Sequence, residues 1–185
     1  MGAERVSDRH FIATYAGTLD SKGRVCIPAV WRQVLATQNT TGVYVSPSLD
    51  ETSLTGFGAE MMTSELKRLE GLDPLFSGAY NDLAAPLVSG ASSLPIDENG
   101  RARLPDELIE AAGLKDRVVF VGVGAKFEIW NPENYAPVRA QRLANAKAER
   151  AARIAQENAA RAALQASALA VAATPATPAA EAATP

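Results

Sequence analysis

The segment Asp20-Ser-Lys-Gly-Arg24-Val-Cys-Ile-Pro28 returns later in the chain as Asp97-Glu-Asn-Gly-Arg101-Ala-Arg-Leu-Pro105. Aspartate, glycine, arginine and proline all recur at one offset (97 − 20 = 100 − 23 = 101 − 24 = 105 − 28 = 77). Both copies lead into an apolar helical pattern. A repeat at this distance means two copies of one small folding unit, so the chain must build internal pseudo-symmetry.

Each residue of the repeated turn has a physical task. Asp20 or Asp97 can accept backbone N–H bonds from the residues that follow and so fold the turn. Gly23 or Gly100 can take the positive φ that other residues resist. Arg24 and Arg101 then stand where the return strand begins. A guanidinium there can bridge to its own aspartate and brace the hairpin, or reach outward to phosphate or guanine. The residues leave both readings open. The copies are unequal: Lys22 and Arg24 lie in a stretch free of acid from Ser21 to Leu49, whereas the second loop sets Glu98 beside Arg101 and Arg103 and replaces the lysine by Asn99. The first loop is expected to bind phosphate more strongly, with Arg24→Ala weakening binding more than Arg101→Ala. Asn99 can contact a base or cap its turn.

Charge limits the partners. Residues 1–138 hold 12 Lys+Arg against 18 Asp+Glu, and residues 139–185 hold 6 against 3, so a body of −6 carries a tail of +3. An acidic body is no nonspecific nucleic-acid coat, and any DNA binding must come from local positive points. The lone Cys26 has no partner for an internal disulfide, and with His10 the only histidine, neither an ordinary zinc site nor a nucleophile–histidine pair has the residues it needs. No enzyme, cofactor, metal or small-molecule substrate is therefore expected. The longest apolar run, Val118–Val123, is too short to span a membrane, and no signal peptide is visible at Met1–His10. A cytoplasmic protein is expected, associated with the nucleoid if it binds DNA.

Periodicity and punctuation organise the chain. Strands are predicted over Phe11–Tyr15, Val25–Ile27, Val43–Ser46, Ser53–Phe57, Leu87–Ile96, Val118–Val123 and Phe127–Trp130. Helices are predicted over Ala29–Ala36, Ala59–Glu70, Asp73–Ala85 and Asp106–Ala112, two of them opened by Pro28 and Pro105, which suit a first turn whose N–H has no partner. Asn131-Pro132 reads as cap and first residue of a further helix. From Ala136 to Val171 the chain is rich in Ala, Arg, Gln and Glu with a weak apolar stripe, and a helix so polar all round needs a partner or forms only in part. Thr174–Pro185 repeats Ala-Thr-Pro and reads as disordered. Trp31 and Trp130 are expected in the core or an interface.

These motifs resemble the MraZ family of bacterial transcriptional regulators. The similarity runs from about Phe11 to Tyr135 and rests on Leu19-Asp-Ser-Lys-Gly-Arg24, Asp97-Glu-Asn-Gly-Arg101 with Leu104-Pro105, Ala112-Gly-Leu114, and Val121-Gly-Val-Gly-Ala-Lys-Phe-Glu-Ile-Trp130. The resemblance implies an α+β, mainly β fold: tandem AbrB-like swapped-hairpin half-barrels forming one pseudo-symmetric domain, with a helical C-terminal tail. The expected divisions are an N-terminal arm over residues 1–10, a first repeat with linker helices over 11–92, a second repeat over 93–135, an alanine-rich helical tail over 136–173 and a disordered end over 174–185. It further implies a homo-oligomer closed into a ring. Such a ring would bind short direct repeats of double-stranded promoter DNA upstream of its own operon, in the division and cell-wall gene cluster, as a repressor. The D-x-x-x-R loops would carry the contact. Carried across, Lys22, Arg24 and Arg101, joined by Asn99, are the DNA-binding candidates, and Asp20, Gly23, Asp97 and Gly100 shape the loops. The chain departs from the family in having no Lys or Arg between Arg68 and Arg101. The alternative is a ring-forming scaffold without specific DNA binding. Antitoxins of related fold usually carry a single copy of the motif.

Overall fold

The computed structural model of the chain describes residues 9–38, 40, 42–49, 52–73, 78–84 and 88–172. The chain divides after Pro137 into two compact units. The first is α+β, mainly antiparallel sheet. Its elements run β1 (Thr14–Thr18), β2 (Arg24–Cys26), α1 (Ala29–Thr37), β3 (Gly42–Pro47), β4 (Ser53–Phe57), α2 (Ala59–Leu69), α3 (Gly78–Ala84), β5 (Ser92–Pro95), β6 (Arg101–Arg103), α4 (Asp106–Ala111), β7 (Arg117–Gly122) and β8 (Lys126–Trp130). A C-terminal helix, α5, spans Pro132–Ala172.

The halves exchange strands. The larger sheet has the order β1-β7-β8-β4-β3-β5, and β2 and β6 make a separate ribbon. Thus β1 of the first half pairs with β7 of the second, and β5 of the second pairs with β3 of the first. The central pair β4·β8 and the ribbon β2·β6 each join equivalent strands. Interchanging the halves maps β1·β7 onto β5·β3 and β3·β4 onto β7·β8, and maps β4·β8 and β2·β6 onto themselves. The registers agree: Gly17 opposes Val118 and Leu94 opposes Val43, positions related by 94 − 17 = 77 and 118 − 43 = 75. The offset drops by two because α1 has 9 residues against 6 in α4, while the connection that follows α1 is one residue shorter.

The core lies beneath this exchanged sheet. Helix α1 buries Trp31, Val34 and Leu35, spaced to share one face. Trp31 is fully buried, with Tyr15 at 5.3 Å, Phe11 at 5.7 Å and Phe127 at 4.9 Å between ring centroids. Its indole N–H donates to the Ile12 carbonyl at 3.0 Å, so the one polar atom of the ring is satisfied where it is buried. Trp130 is also buried, and its N–H donates to the Glu128 carboxylate at 2.8 Å.

Some boundaries differ from those expected. The strand predicted over Phe11–Tyr15 begins at Thr14, because Ala13 takes a positive φ of 74° and breaks the extended run. Phe11 makes only an isolated bridge to Gly124 and turns its ring into the core. The strand predicted over Leu87–Ile96 is regular only over Ser92–Pro95, and its start at Leu87 lies outside the described residues. The helix predicted over Asp73–Ala85 is seen as Gly78–Ala84, with residues 74–77 and 85 outside the described residues. Helix α5 begins where Asn131 caps it: the Asn131 side-chain oxygen accepts from the Glu133 N–H at 3.0 Å and its amide donates to the Gly113 carbonyl at 2.8 Å. It runs unbroken through Pro137, so the tail predicted as helical is a continuous helix as far as Ala172. The end predicted as disordered, Thr174–Pro185, lies outside the described residues. Among the described residues no helix is long and apolar enough to cross a membrane.

Candidate nucleic-acid interface

The two repeated turns fold alike. Asp20 N–H donates to the Arg24 carbonyl at 2.9 Å, and Asp97 N–H to the Arg101 carbonyl at 2.8 Å. In the first loop Asp20 Oδ1 accepts from the N–H groups of Lys22 and Arg24, each at 2.9 Å. In the second, Asp97 Oδ1 accepts from Asn99 at 2.9 Å and Arg101 at 2.8 Å. Gly23 and Gly100 close the turns at φ of 72° and 79°. An aspartate binding its own turn and a glycine in the left-handed region are what such a loop demands.

The ribbon β2·β6 holds the loops side by side. Ile27 N–H donates to the Gly100 carbonyl at 2.9 Å and Leu104 N–H to the Gly23 carbonyl at 2.8 Å. Between them Val25 opposes Ala102, and both are fully buried. Strand alternation then puts Arg24, Cys26, Arg101 and Arg103 on the opposite, outward face. Arg24 stands directly across from Arg103, and Cys26 across from Arg101. Lys22 and Asn99 are exposed at the two tips. The ribbon thus gathers Lys22, Arg24, Asn99 and Arg101 from opposite halves of the chain. It adds Arg103, which was left out of the candidate set although its two-residue spacing from Arg101 already placed it on the same strand face.

The loops differ in how each arginine meets its aspartate. Arg24 donates from Nε to Asp20 Oδ2 at 2.8 Å, and its Nη2 lies 2.7 Å from the same oxygen. The Arg24 guanidinium, with its backbone N–H second, lowers the Asp20 carboxyl from the ordinary 3.8 to about 2. Asp20 in turn raises the Arg24 pKa, with a lesser contribution from Asp97 of the other loop. Arg101 is held more loosely. Its Nε lies 3.4 Å from Asp97 Oδ2 and, though buried, makes no hydrogen bond. The Asp97 carboxyl is lowered mainly by the Arg101 backbone N–H rather than by its guanidinium.

A second difference comes from the helices that follow the loops. Position 109 of α4 and position 32 of α1 are equivalent (109 − 32 = 77). Ile109 covers Gly23, its Cδ1 3.3 Å from where a Cβ would stand. Arg32 covers Gly100, and its Cζ, Nε and Nη1 would lie 2.5–2.7 Å from such a Cβ. Among the described residues no group of His, Cys, Asp and Glu is gathered closely enough to hold a metal ion.

Comparison with known proteins gives this arrangement a family. The family described as "MraZ protein, putative antitoxin-like" matches residues 87–158. A protein of Xanthobacter autotrophicus named "Transcriptional regulator MraZ" is 44% identical over 66% of this chain and 78% of its own length. The chain belongs to the MraZ family. MraZ proteins of Azorhizobium caulinodans and Parvibaculum lavamentivorans, named likewise as transcriptional regulators, are each 42% identical, over 68% and 71% of this chain and 79% and 83% of their own lengths.

Proposed function

We propose that the chain is a sequence-specific DNA-binding transcriptional regulator, acting as a repressor of its own operon in the division and cell-wall gene cluster. The reading is supported by its MraZ relatives, whose names call them transcriptional regulators. The observation that carries it is the outward face of the β2·β6 ribbon. Like charges directly opposite one another destabilise a sheet, yet Arg24 and Arg103 are paired that way. Asp20 offsets part of the charge of Arg24, and a bound phosphate relieves the repulsion that remains. A two-stranded ribbon is also of a size to enter the major groove, where arginine reads guanine through two hydrogen bonds.

The roles divide along the loops. Lys22 supplies a mobile positive charge to phosphate, and Arg24, Arg101 and Arg103 supply planar donors to phosphate or guanine. Asn99 meets a base edge. Asp20, Asp97, Gly23 and Gly100 hold the turns open at one shape. The strand exchange between halves supports the tandem swapped-hairpin reading of the fold, with residues 11–92 and 93–135 as the repeats. One subunit offers few contacts and binds weakly. A closed ring of subunits facing successive direct repeats raises affinity through effective concentration, which reconciles DNA binding with an acidic body. The tail, proposed over residues 136–173, adds a basic helix, described as far as Ala172, outside that shared core.

The test is fluorescence anisotropy of the protein on its own upstream DNA and on scrambled DNA over a salt series. Selective binding with a steep salt slope supports the regulator. Binding that ignores sequence, by a protein that still forms rings, supports the scaffold reading, which the exposure of Leu143, Ile154 and Leu164 along α5 favours.

A further inference from the structure

The internal repeat supplies its own control for Arg32. Both loop glycines need a cover from the helix that follows the other loop. In one case the cover is Ile109, an apolar side chain that does this work with no polar atom to satisfy. In the other it is Arg32, whose Nε is buried with no hydrogen-bond partner. No carboxylate among the described residues pairs with its guanidinium. A buried donor left unmade is costly, and an arginine is not needed for packing where isoleucine suffices. The residue next to Gly100 is Arg101, whose own Nε is likewise buried and unbonded. Two incompletely satisfied guanidinia therefore meet at the second loop. At the first, Arg24 is tied to Asp20 and the equivalent cover is neutral.

We infer that Arg32 and Arg101 form a phosphate clamp on the second loop, with Arg32 an anion-binding residue contributed by the first half of the chain. The clamp rests on the DNA-binding reading and deepens it. It makes the pseudo-symmetric interface functionally unequal: the second loop grips the backbone, and the first, with its arginine engaged by Asp20, is the rigid one. Glu98 beside the clamp is the countervailing charge, while Asp97 Oδ1 is already occupied by two N–H groups. The charge pattern of the loops alone points the other way, to the first loop as the stronger phosphate binder.

The test substitutes the residue that the protein itself uses at the equivalent place. Arg32→Ile keeps a cover over Gly100, and its thermal midpoint and circular dichroism check that the fold is kept. Arg32→Lys keeps the charge. Each is titrated, beside the wild type, onto promoter and scrambled duplexes between 50 and 200 mM salt, the range being roughly that over which phosphate contacts register. Loss of one phosphate contact lowers the slope of log affinity against log salt by about 0.9, so the wild-type advantage over Arg32→Ile shrinks roughly threefold across that range. Arg32→Lys retains the slope. Coincidence of Arg32→Ile with the wild type on both duplexes overturns the clamp, as does an equal loss in both variants, which marks a structural role. The regulator reading fails separately, if the wild type does not distinguish promoter from scrambled DNA. A lower slope for Arg32→Ile on either duplex still supports the clamp in that case.

Discussion

At the scale of single residues, the two D-x-x-x-R loops share a backbone and differ in side-chain engagement. Arg24 must give up its bonds to Asp20 to reach outward, whereas Arg101 has donors to spare. Arg101→Ala is therefore expected to weaken DNA binding more than Arg24→Ala, the reverse of the order that loop charge suggests; gel shift of both variants on promoter DNA decides it. The Asp20 carboxyl titrates near 2 in the folded chain against an ordinary 3.8. A lowered folded pKa means that its stabilisation is present above 3.8 and is lost as pH falls through about 2. Asp20→Asn is expected to flatten the stability profile in that interval, and urea unfolding at several pH values reads the difference. Gly23→Ala places a Cβ at φ 72°, which costs ~1–2 kcal/mol and is measured by the same unfolding curves.

At the scale of elements, close approach between strands decides what the sheet tolerates. Gly56 opposes Phe127 across the central β4·β8 pair, and a Cβ on Gly56 would fall onto the Phe127 ring. Phe127 is itself fully buried and packs against Trp31 and Phe11, so it has nowhere to retreat. Gly56→Ala is expected to destabilise the body by ~1–3 kcal/mol through overpacking, seen in thermal unfolding. Helix α1 links the larger sheet to the second loop, because Trp31 packs on Tyr15 of β1 and Phe120 of β7 while Arg32, its neighbour, reaches Gly100.

At the scale of the molecule, the exchanged pairing makes each half depend on the other. Removing β5 and β6 would strip β2 of its partner strand and β3 of one of its two, so the halves should unfold together. The division after Pro137 has a different consequence. A chain ended there keeps the Asn131 cap and the Trp130–Tyr135 ring contact, and its thermal midpoint is expected to match that of the full protein. If the basic helix Arg139–Arg161 adds nonspecific DNA affinity, the same truncation lowers the salt slope on scrambled DNA. An unchanged slope removes the tail from the interface.

The sequence by itself determined the repeat, the shape of both turns, the starts of α1 and α4, and the burial of Trp31 and Trp130. The turns and helix starts depend on contacts within a few residues: an aspartate meeting the N–H groups after it, a glycine at positive φ, a proline at a first helical turn. The family, too, was legible in its motifs. Only the tertiary structure decided which strands pair, because any apolar strand can hydrogen-bond any other until packing selects its neighbours. It set the start of the first strand at Thr14, after the positive φ of Ala13, and left Phe11 in the core. It also separated two loops that look interchangeable on paper. Arg24 bonds Asp20 at 2.8 Å whereas Arg101 approaches Asp97 only to 3.4 Å, and the side chain laid across each loop glycine, Ile109 on Gly23 and Arg32 on Gly100, comes from the other half of the chain.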